Sequence, residues 1–190
     1  MMLTTVQNLK DYLGIPSAET GKDAVLELII KGASDFFETQ TRRKYDVVAY
    51  VEKYDGDNRQ QLLLSQFPII YVREIKIDGA AISIVDEVST LNIDYHAGIL
   101  TREQGWPAGF RNIEITYTAG FILPDESGES GPGTYYTLPY DIELAVLKLS
   151  ARTYERRTAE GVASAENVSY KDVLDEEIER TIRAHLKIKV

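Results

Sequence analysis

The chain has 190 residues, of which 44% are hydrophobic and 27% charged, a composition typical of a folded globular protein. Its 30 acidic and 21 basic residues give a net charge of −9, which disfavours a surface that grips nucleic acid. With no cysteine and two histidines, the sequence excludes disulfides and thiolate metal sites and leaves little for imidazole catalysis. No apolar run reaches the roughly 18 residues of a membrane span, and the first residues lack a signal-peptide pattern, so we expect a cytosolic chain with no membrane contact.

Two helices are predicted within residues 1–44. A threonine of the Thr4-Thr5 pair is expected to cap a short first helix, which ends near Gly14. Asp23 is expected to cap a longer second helix, because apolar residues between Val25 and Phe37 recur at spacings of three and four. We therefore expect residues 1–44 to form a helical hairpin.

Residues 45–121 are predicted to form an antiparallel β subdomain. Apolar and polar residues alternate there with a period of two, and turn signals arrive about every ten residues. Hairpins are predicted around Asp55–Asn58, Asp78–Gly79 and His96–Gly98, whose residue types favour tight turns.

Residues 122–137 are predicted to form a flexible acidic, glycine-rich loop, since Asp125–Gly133 contains no apolar residue. The longest helix then begins near Pro139 and is apolar around most of its circumference, so more than one neighbour must bury it. A last amphipathic helix is expected before the C-terminal tail. The predicted fold class is α+β, in which residues 138–190 complete a bundle of terminal helices around an inserted antiparallel β subdomain.

The acidic residues offer weak candidates for chemistry. Asp55 and Asp57 stand at alternate positions, as in a calcium loop, but Arg59 and Gln60 occupy positions where such a loop needs an acid and a glycine. A hairpin turn is the better interpretation. His96 and His185 have no obvious serine or carboxylate partner in the sequence, so we expect both to be structural and predict no catalytic residue, metal site or cofactor.

An enzymatic alternative is a small carbohydrate-active hydrolase. Its acids would be Asp55, Asp57 or Asp94, and aromatic side chains would form a platform for a sugar. This alternative is disfavoured because no acid has a partner that would separate their pKa values. The aromatic candidates are Tyr95, Trp106 and Phe110.

A basic stripe lies on the long C-terminal helix. Lys148, Arg152 and Arg156 are four residues apart and therefore share one face. Ion pairing with acids of a neighbouring helix or subunit is the simpler explanation. The alternative is contact with the phosphates of threading DNA.

The last five residues, Leu186–Val190, alternate apolar and basic side chains, as a short strand does. Two interpretations remain open for this segment. It is either the frayed end of a helix or a tail that adds to a partner's sheet or groove.

The ordered set of segments resembles the bacteriophage and prophage head–tail connector family, also called head-completion, adaptor or DNA-packaging proteins. The resemblance extends over nearly the full length. It is carried by Leu9–Ile15, Ile29–Glu38, Thr41–Tyr45, Leu64 with Pro68-Ile69 and Val72, Asp78-Gly79, Gly98–Leu100, Ile115–Phe121 and Leu138–Ile142 with Ala145 and Arg156.

This resemblance implies a structural role without catalysis in the virion neck, after assembly in the host cytoplasm. Such proteins form a ring, typically of twelve subunits, under the portal protein and offer a platform to tail or stopper proteins. Another neck or tail-completion protein is the alternative. In the family the helices build the ring, the sheet decorates it, and the C-terminal segment engages the portal. Carried onto this chain, the portal contacts are Leu186, Ile188 and Val190, and the subunit interface contains Lys148, Arg152 and Arg156.

The charge of the chain is compatible with such a ring. A channel that passes DNA should repel phosphates, so that non-specifically threaded duplex slides without sticking. We therefore expect an acidic or neutral channel wall and expect the basic stripe to point into the interfaces between subunits.

Overall fold

The computed structural model describes residues 1–82, 90–125, 133, 135–159 and 174–186. They contain both helices and antiparallel sheets, as predicted for an α+β protein. No helix in these ranges is long and apolar enough to cross a membrane. The chain divides into a helical unit, made of Met1–Tyr45, Leu123–Ser127 and Thr137–Val190, and a sheet unit, made of Asp46–Ile122 and Gly128–Tyr136. Most of the predicted Asp125–Gly133 loop lies outside the described residues.

The described part of the helical unit contains four helices. The first begins as predicted, because the Thr5 side chain accepts a hydrogen bond from the Asn8 backbone N–H at 3.0 Å, and it ends at Gly14, whose φ is +68°. The helices are α1 (Val6–Leu13), α2 (Asp23–Thr41), α3 (Tyr140–Ala159) and α4 (Glu176–Ala184).

Asp23 begins α2 but does not cap it, contrary to the prediction. The capping position is Lys22, which makes no side-chain cap hydrogen bond. The Asp23 carboxylate instead lies 2.5 Å from the Nζ of Lys10, which is almost fully buried. Burial of an ammonium group without a partner costs free energy. The Asp23 carboxylate therefore stabilises the buried charge of Lys10 in α1 and does not cap its own helix.

Helix α3 brings the two ends of the chain together within the helical unit. It contacts α1, α2 and α4. Leu9, Leu26, Ile30 and Ala151 form one buried cluster from the first three helices of the unit. Nearer the beginning of α3, other apolar residues are buried as well. They include Ile142, Ala145, Val146 and Leu149.

The sheet unit contains seven strands in two sheets. The four-stranded sheet has the order β1-β7-β3-β4 and the three-stranded sheet the order β2-β6-β5. All the neighbouring strands pair antiparallel. The strands are β1 (Val48–Gly56), β2 (Gln61–Leu63), β3 (Ile69–Ile77), β4 (Ala80–Ile82), β5 (Leu91–Asp94), β6 (Ile99–Arg102) and β7 (Gly109–Ala119).

Two of the three predicted hairpins are confirmed and one is wrong. The turns at Asp78–Gly79 and His96–Gly98 join the paired strands β3–β4 and β5–β6. The turn at Asp55–Asn58 instead carries the chain from one sheet to the other, because β1 pairs with β7 and β2 pairs with β6. Turn chemistry fixes the reversal of the chain there, but it does not fix which strand becomes the partner.

The two sheets share one hydrophobic core. Ile75 and Ile115 of the four-stranded sheet belong to the same buried cluster as Leu91 and Leu100 of the three-stranded sheet. Trp106, which is 1% exposed, is part of this cluster. The sheet unit is therefore a small sandwich with a continuous interior.

A glutamate and two tyrosines hold the segment between β2 and β3 against the four-stranded sheet. The hydroxyls of Tyr54 and Tyr117 both donate to one carboxylate oxygen of Glu52, from Tyr117 at 2.7 Å. The same hydroxyls accept backbone N–H groups, that of Ser65 at Tyr54 (2.9 Å) and that of Gln66 at Tyr117 (3.1 Å). Burial, followed by the hydrogen bond to Glu52, raises the pKa of Tyr54. Burial, followed by the charge of Tyr54 and then by Glu52, raises the pKa of Tyr117.

The raised pKa values of Tyr54 and Tyr117 predict that the sheet unit loses stability in alkali. Above about pH 10 the unfolded chain releases these two protons while the folded chain retains them, so the free energy of unfolding falls by up to about 1.4 kcal/mol per pH unit for each group. Replacing both residues with phenylalanine should flatten this slope, whereas Tyr95→Phe, a control at a partly exposed tyrosine of the same unit, should leave it unchanged. Urea unfolding followed by Trp106 fluorescence measures the effect, and equal slopes in all three proteins would contradict the explanation.

Candidate interaction surfaces of the helical unit

The acids proposed for an enzymatic site accept backbone hydrogen bonds within the sheet unit. The Asp57 carboxylate accepts the Arg59 backbone N–H at 2.9 Å, and the Asp94 carboxylate accepts those of His96 and Ala97 at 3.1 and 2.9 Å. These contacts support the interpretation of the Asp57 and Asp94 stretches as turns. Asp55 lies in β1, and its carboxylate accepts the backbone N–H of Arg111 in the neighbouring strand β7 at 2.6 Å.

The proposed sugar platform is not assembled either. Trp106 is buried in the core of the sheet unit and cannot offer its face to a sugar, whereas Phe110 is exposed. Within the described ranges, no three or more acidic or histidine side chains come together as metal ligands would.

The two histidines have different surroundings. His96 packs edge-on against Tyr136, with 5.8 Å between the ring centroids. The expectation that His185 lacks a carboxylate partner is wrong, because its Nε2 lies 2.7 Å from a carboxylate oxygen of Asp141. The two residues are 44 positions apart, and only the antiparallel packing of α4 on α3 brings them together.

Ion pairs fasten the other end of α4 to α3. The Nζ of Lys148 lies 2.7 Å from both carboxylate oxygens of Glu177, and Arg152 forms an ion pair with Asp175. Two residues of the predicted interface stripe therefore contact acids of a neighbouring helix in the same chain. Arg156, one turn further along, is partly buried.

Asp175 has two tasks at this end of α4. Its carboxylate caps the helix by accepting the Ile178 backbone N–H at 2.8 Å, and it also pairs with Arg152. The hydrogen bond from Ile178, followed by Arg152 and Lys148, lowers the pKa of Asp175. The negative charge also interacts favourably with the positive end of the helix dipole.

A groove of about 520 Å³ lies between the C-terminal end of α2 and helix α4. Its apolar lining comes from α4 and the residues on either side of that helix, and charged side chains also line it. Leu186, the predicted portal contact, is partly exposed at this groove, whereas Ile188 and Val190 lie outside the described residues. The lining residues are Thr39, Gln40, Arg42, Leu174, Glu179, Ile182, Arg183 and Leu186.

An exposed apolar ridge lies at the beginning of α3. Tyr140 is 85% exposed, and Leu144, one turn later, is 41% exposed. We define these two residues as the ridge. The apolar residues around α3 predict burial by neighbouring helices, and for Tyr140 and Leu144 that prediction is wrong. Helical periodicity does not show which apolar positions a neighbouring element leaves exposed.

The family of the chain follows from comparison with known proteins. Residues 2–188 match the model of the head completion protein family, so the chain belongs to that family. This match confirms the resemblance found in the sequence and the class of function that it implied, a structural component of head completion. No curated protein matches the chain.

Solved structures share the fold. The chain is similar to the neck of an empty GTA particle computed with C6 symmetry, with 17% identity, a TM-score of 0.59, and coverage of 97% of this chain and 90% of the other. It is similar also to the neck of a native GTA particle computed with C12 symmetry, with 16% identity, a TM-score of 0.56 and coverage of 97% and 89%. A chain of the virion of a native gene transfer agent (GTA) particle is also similar, with 17% identity, a TM-score of 0.56, and coverage of 97% of this chain and 90% of the other.

The double role of Asp175 predicts graded effects of substitution. Asp175→Ala removes the cap and the ion pair, so we expect about 1–2 kcal/mol less protection of α4, which is roughly 5- to 30-fold faster exchange of its backbone amides. Asp175→Asn keeps an oxygen that can cap and should have a smaller effect, and Glu176→Ala, in the same turn but highly exposed, is the control. Because the pKa of Asp175 is lowered, its contribution should persist at neutral pH and be lost below about pH 4.

Hydrogen exchange followed by mass spectrometry measures this series. Equal exchange of α4 in the Asp175→Ala and Glu176→Ala variants would contradict the role assigned to Asp175.

Proposed function

We propose that the chain is a head–tail connector that forms a ring under the portal protein, at the neck of the virion, and bridges head and tail while DNA passes through. Its membership of the head completion protein family, over residues 2–188, carries this proposal. The neck particles with a similar fold were computed with C6 and C12 symmetry, which supports a ring and a count of twelve.

The helical unit is the part that we assign to the ring, as a bundle in which the terminal helices enclose α3. Neighbours in a ring contact each other through two different surfaces, and the unit offers exposed apolar side chains on more than one helix. Lys148, Arg152 and Arg156 keep their predicted place near the subunit interface. Because Lys148 and Arg152 pair with acids of α4, their contribution there is to fix α4 on α3.

The portal contact is assigned to the end of the chain, at Leu186, Ile188 and Val190. The observation that supports it is the partial exposure of Leu186, an apolar residue directly after α4. Tail or stopper proteins would bind the opposite side of the ring. DNA is proposed to pass only as threaded duplex, since a net charge of −9 repels phosphate.

Size-exclusion chromatography with light scattering tests this function on the chain mixed with the portal protein of the same particle. We expect the two to elute together, with a mass increment close to twelve copies of 21.4 kDa. Leu186→Asp should weaken this association by about tenfold or more, because it places a charge in an apolar contact. Leu28→Asp, at an exposed leucine of α2, is the matched control. A chain that elutes apart from the portal at all concentrations would contradict the proposal.

A further inference from the structure

The ridge and the groove are two exposed apolar features on opposite flanks of α4. The groove lies on the α2 flank. Leu144 of the ridge lies on the α3 flank, where it lines a small recess with Asp141, Lys148 and Ile178. Both features belong to the helical unit alone.

The ridge has the properties of an interface anchor. Tyr140 is among the most exposed large hydrophobic residues of the described chain, and it stands one turn from Leu144 on the same helix. Aromatic side chains lose little conformational entropy on binding and are enriched where binding energy concentrates.

The groove can receive such a ridge. Leu174 and Ile182 provide the apolar lining that we assign to the ridge, whereas Leu186, which also lines the groove, is assigned to the portal. The volume of about 520 Å³ is within the range that accommodates large groups. Its α2 wall contains Thr39, Gln40 and Arg42.

The charges around the two features are complementary. Asp141 and Glu143 flank the ridge on α3. Asp141 contacts His185, and the Glu143 carboxylate accepts hydrogen bonds from the uncharged side chains of Thr4 and Asn8, which leave its charge in place. The groove is lined by two exposed arginines, Arg42 and Arg183, and by one acid, Glu179, which already pairs with Arg183 at 2.9 Å. An acidic ridge entering a groove of net positive charge gains attraction, whereas two ridges facing each other would place like charges together.

From this complementarity we infer that the ridge of one subunit docks into the groove of the next copy of the chain. The contact is head to tail, and repeated rotation closes it into a ring. It rests on the proposed function, because a ring is what the contact builds. The occupant of the groove is therefore a second copy of this chain.

Cysteine cross-linking tests the contact, since the sequence contains no cysteine of its own. Thr137→Cys places a thiol at an exposed residue three positions before Tyr140 and leaves the ridge intact, and Gln40→Cys places one on the α2 wall of the groove. Mixing the two single variants with the portal and adding a short bis-maleimide should give covalent dimers of the chain, which neither variant should give alone. A chain with both substitutions should give a ladder of higher multimers. The control replaces Thr137→Cys with Tyr12→Cys, at a 52% exposed tyrosine of α1.

The outcomes separate this contact from the proposed function. If the mixed variants bind the portal but cross-link no more than the control pair, the ridge–groove contact is wrong and the connector role stands. Dimers formed by Thr137→Cys alone would also overturn the contact, because they indicate a symmetric pairing of ridges. If the unsubstituted chain fails to bind the portal, that result contradicts the proposed function and also the ridge–groove contact, which rests on it.

Discussion

The burial of α3 is the constraint on which the helical unit depends. Its core residues Ile142, Val146 and Leu149 need covering from several sides, and the covering helices come from both ends of the sequence. The segment between these helices is therefore inserted into the helical unit, and it folds as a sandwich with its own hydrophobic core. On this flank the partly exposed Lys148 and Arg152 form ion pairs with Glu177 and Asp175 of the covering helix.

The sequence predicts what local chemistry and periodicity control. The caps at Thr5 and Gly14, the α3 helix and the tight turns at Asp78–Gly79 and His96–Gly98 follow from such rules. It does not predict choices made by tertiary packing. Asp23 forms an ion pair with the buried Lys10 instead of capping α2, and the turn at Asp55–Asn58 joins strands of different sheets.

The candidate surfaces were predicted only in part. The spacing of Lys148 and Arg152 indicates a charged face on α3, and ion pairing with a neighbouring helix was one of its interpretations. The ridge was missed, because Tyr140 looks like a core residue in a pattern of apolar periodicity and only the absence of covering neighbours exposes it. The groove was missed as well. It forms between α2 and α4, which are more than 130 positions apart in sequence, and no motif marks it.

The two units differ in how they present themselves to partners. In the sheet unit, the edge strand β1 carries Lys53 and an irregular register between Tyr54 and Gly56, two features that discourage the addition of a further strand. The helical unit exposes an apolar ridge and an apolar groove, and the sheet unit exposes Val51 and Phe110. Under the proposed function, the ridge and the groove join neighbouring copies and the sheet unit decorates the ring.

Cryo-electron microscopy of the neck of the assembled particle tests the central claim most directly. The account predicts a ring of copies of this chain, adjacent copies joined through their helical units around a channel wall that carries no cluster of lysine and arginine. A neck without this chain, copies joined only through their sheet units, or a channel lined by Lys148 and Arg152 would contradict it.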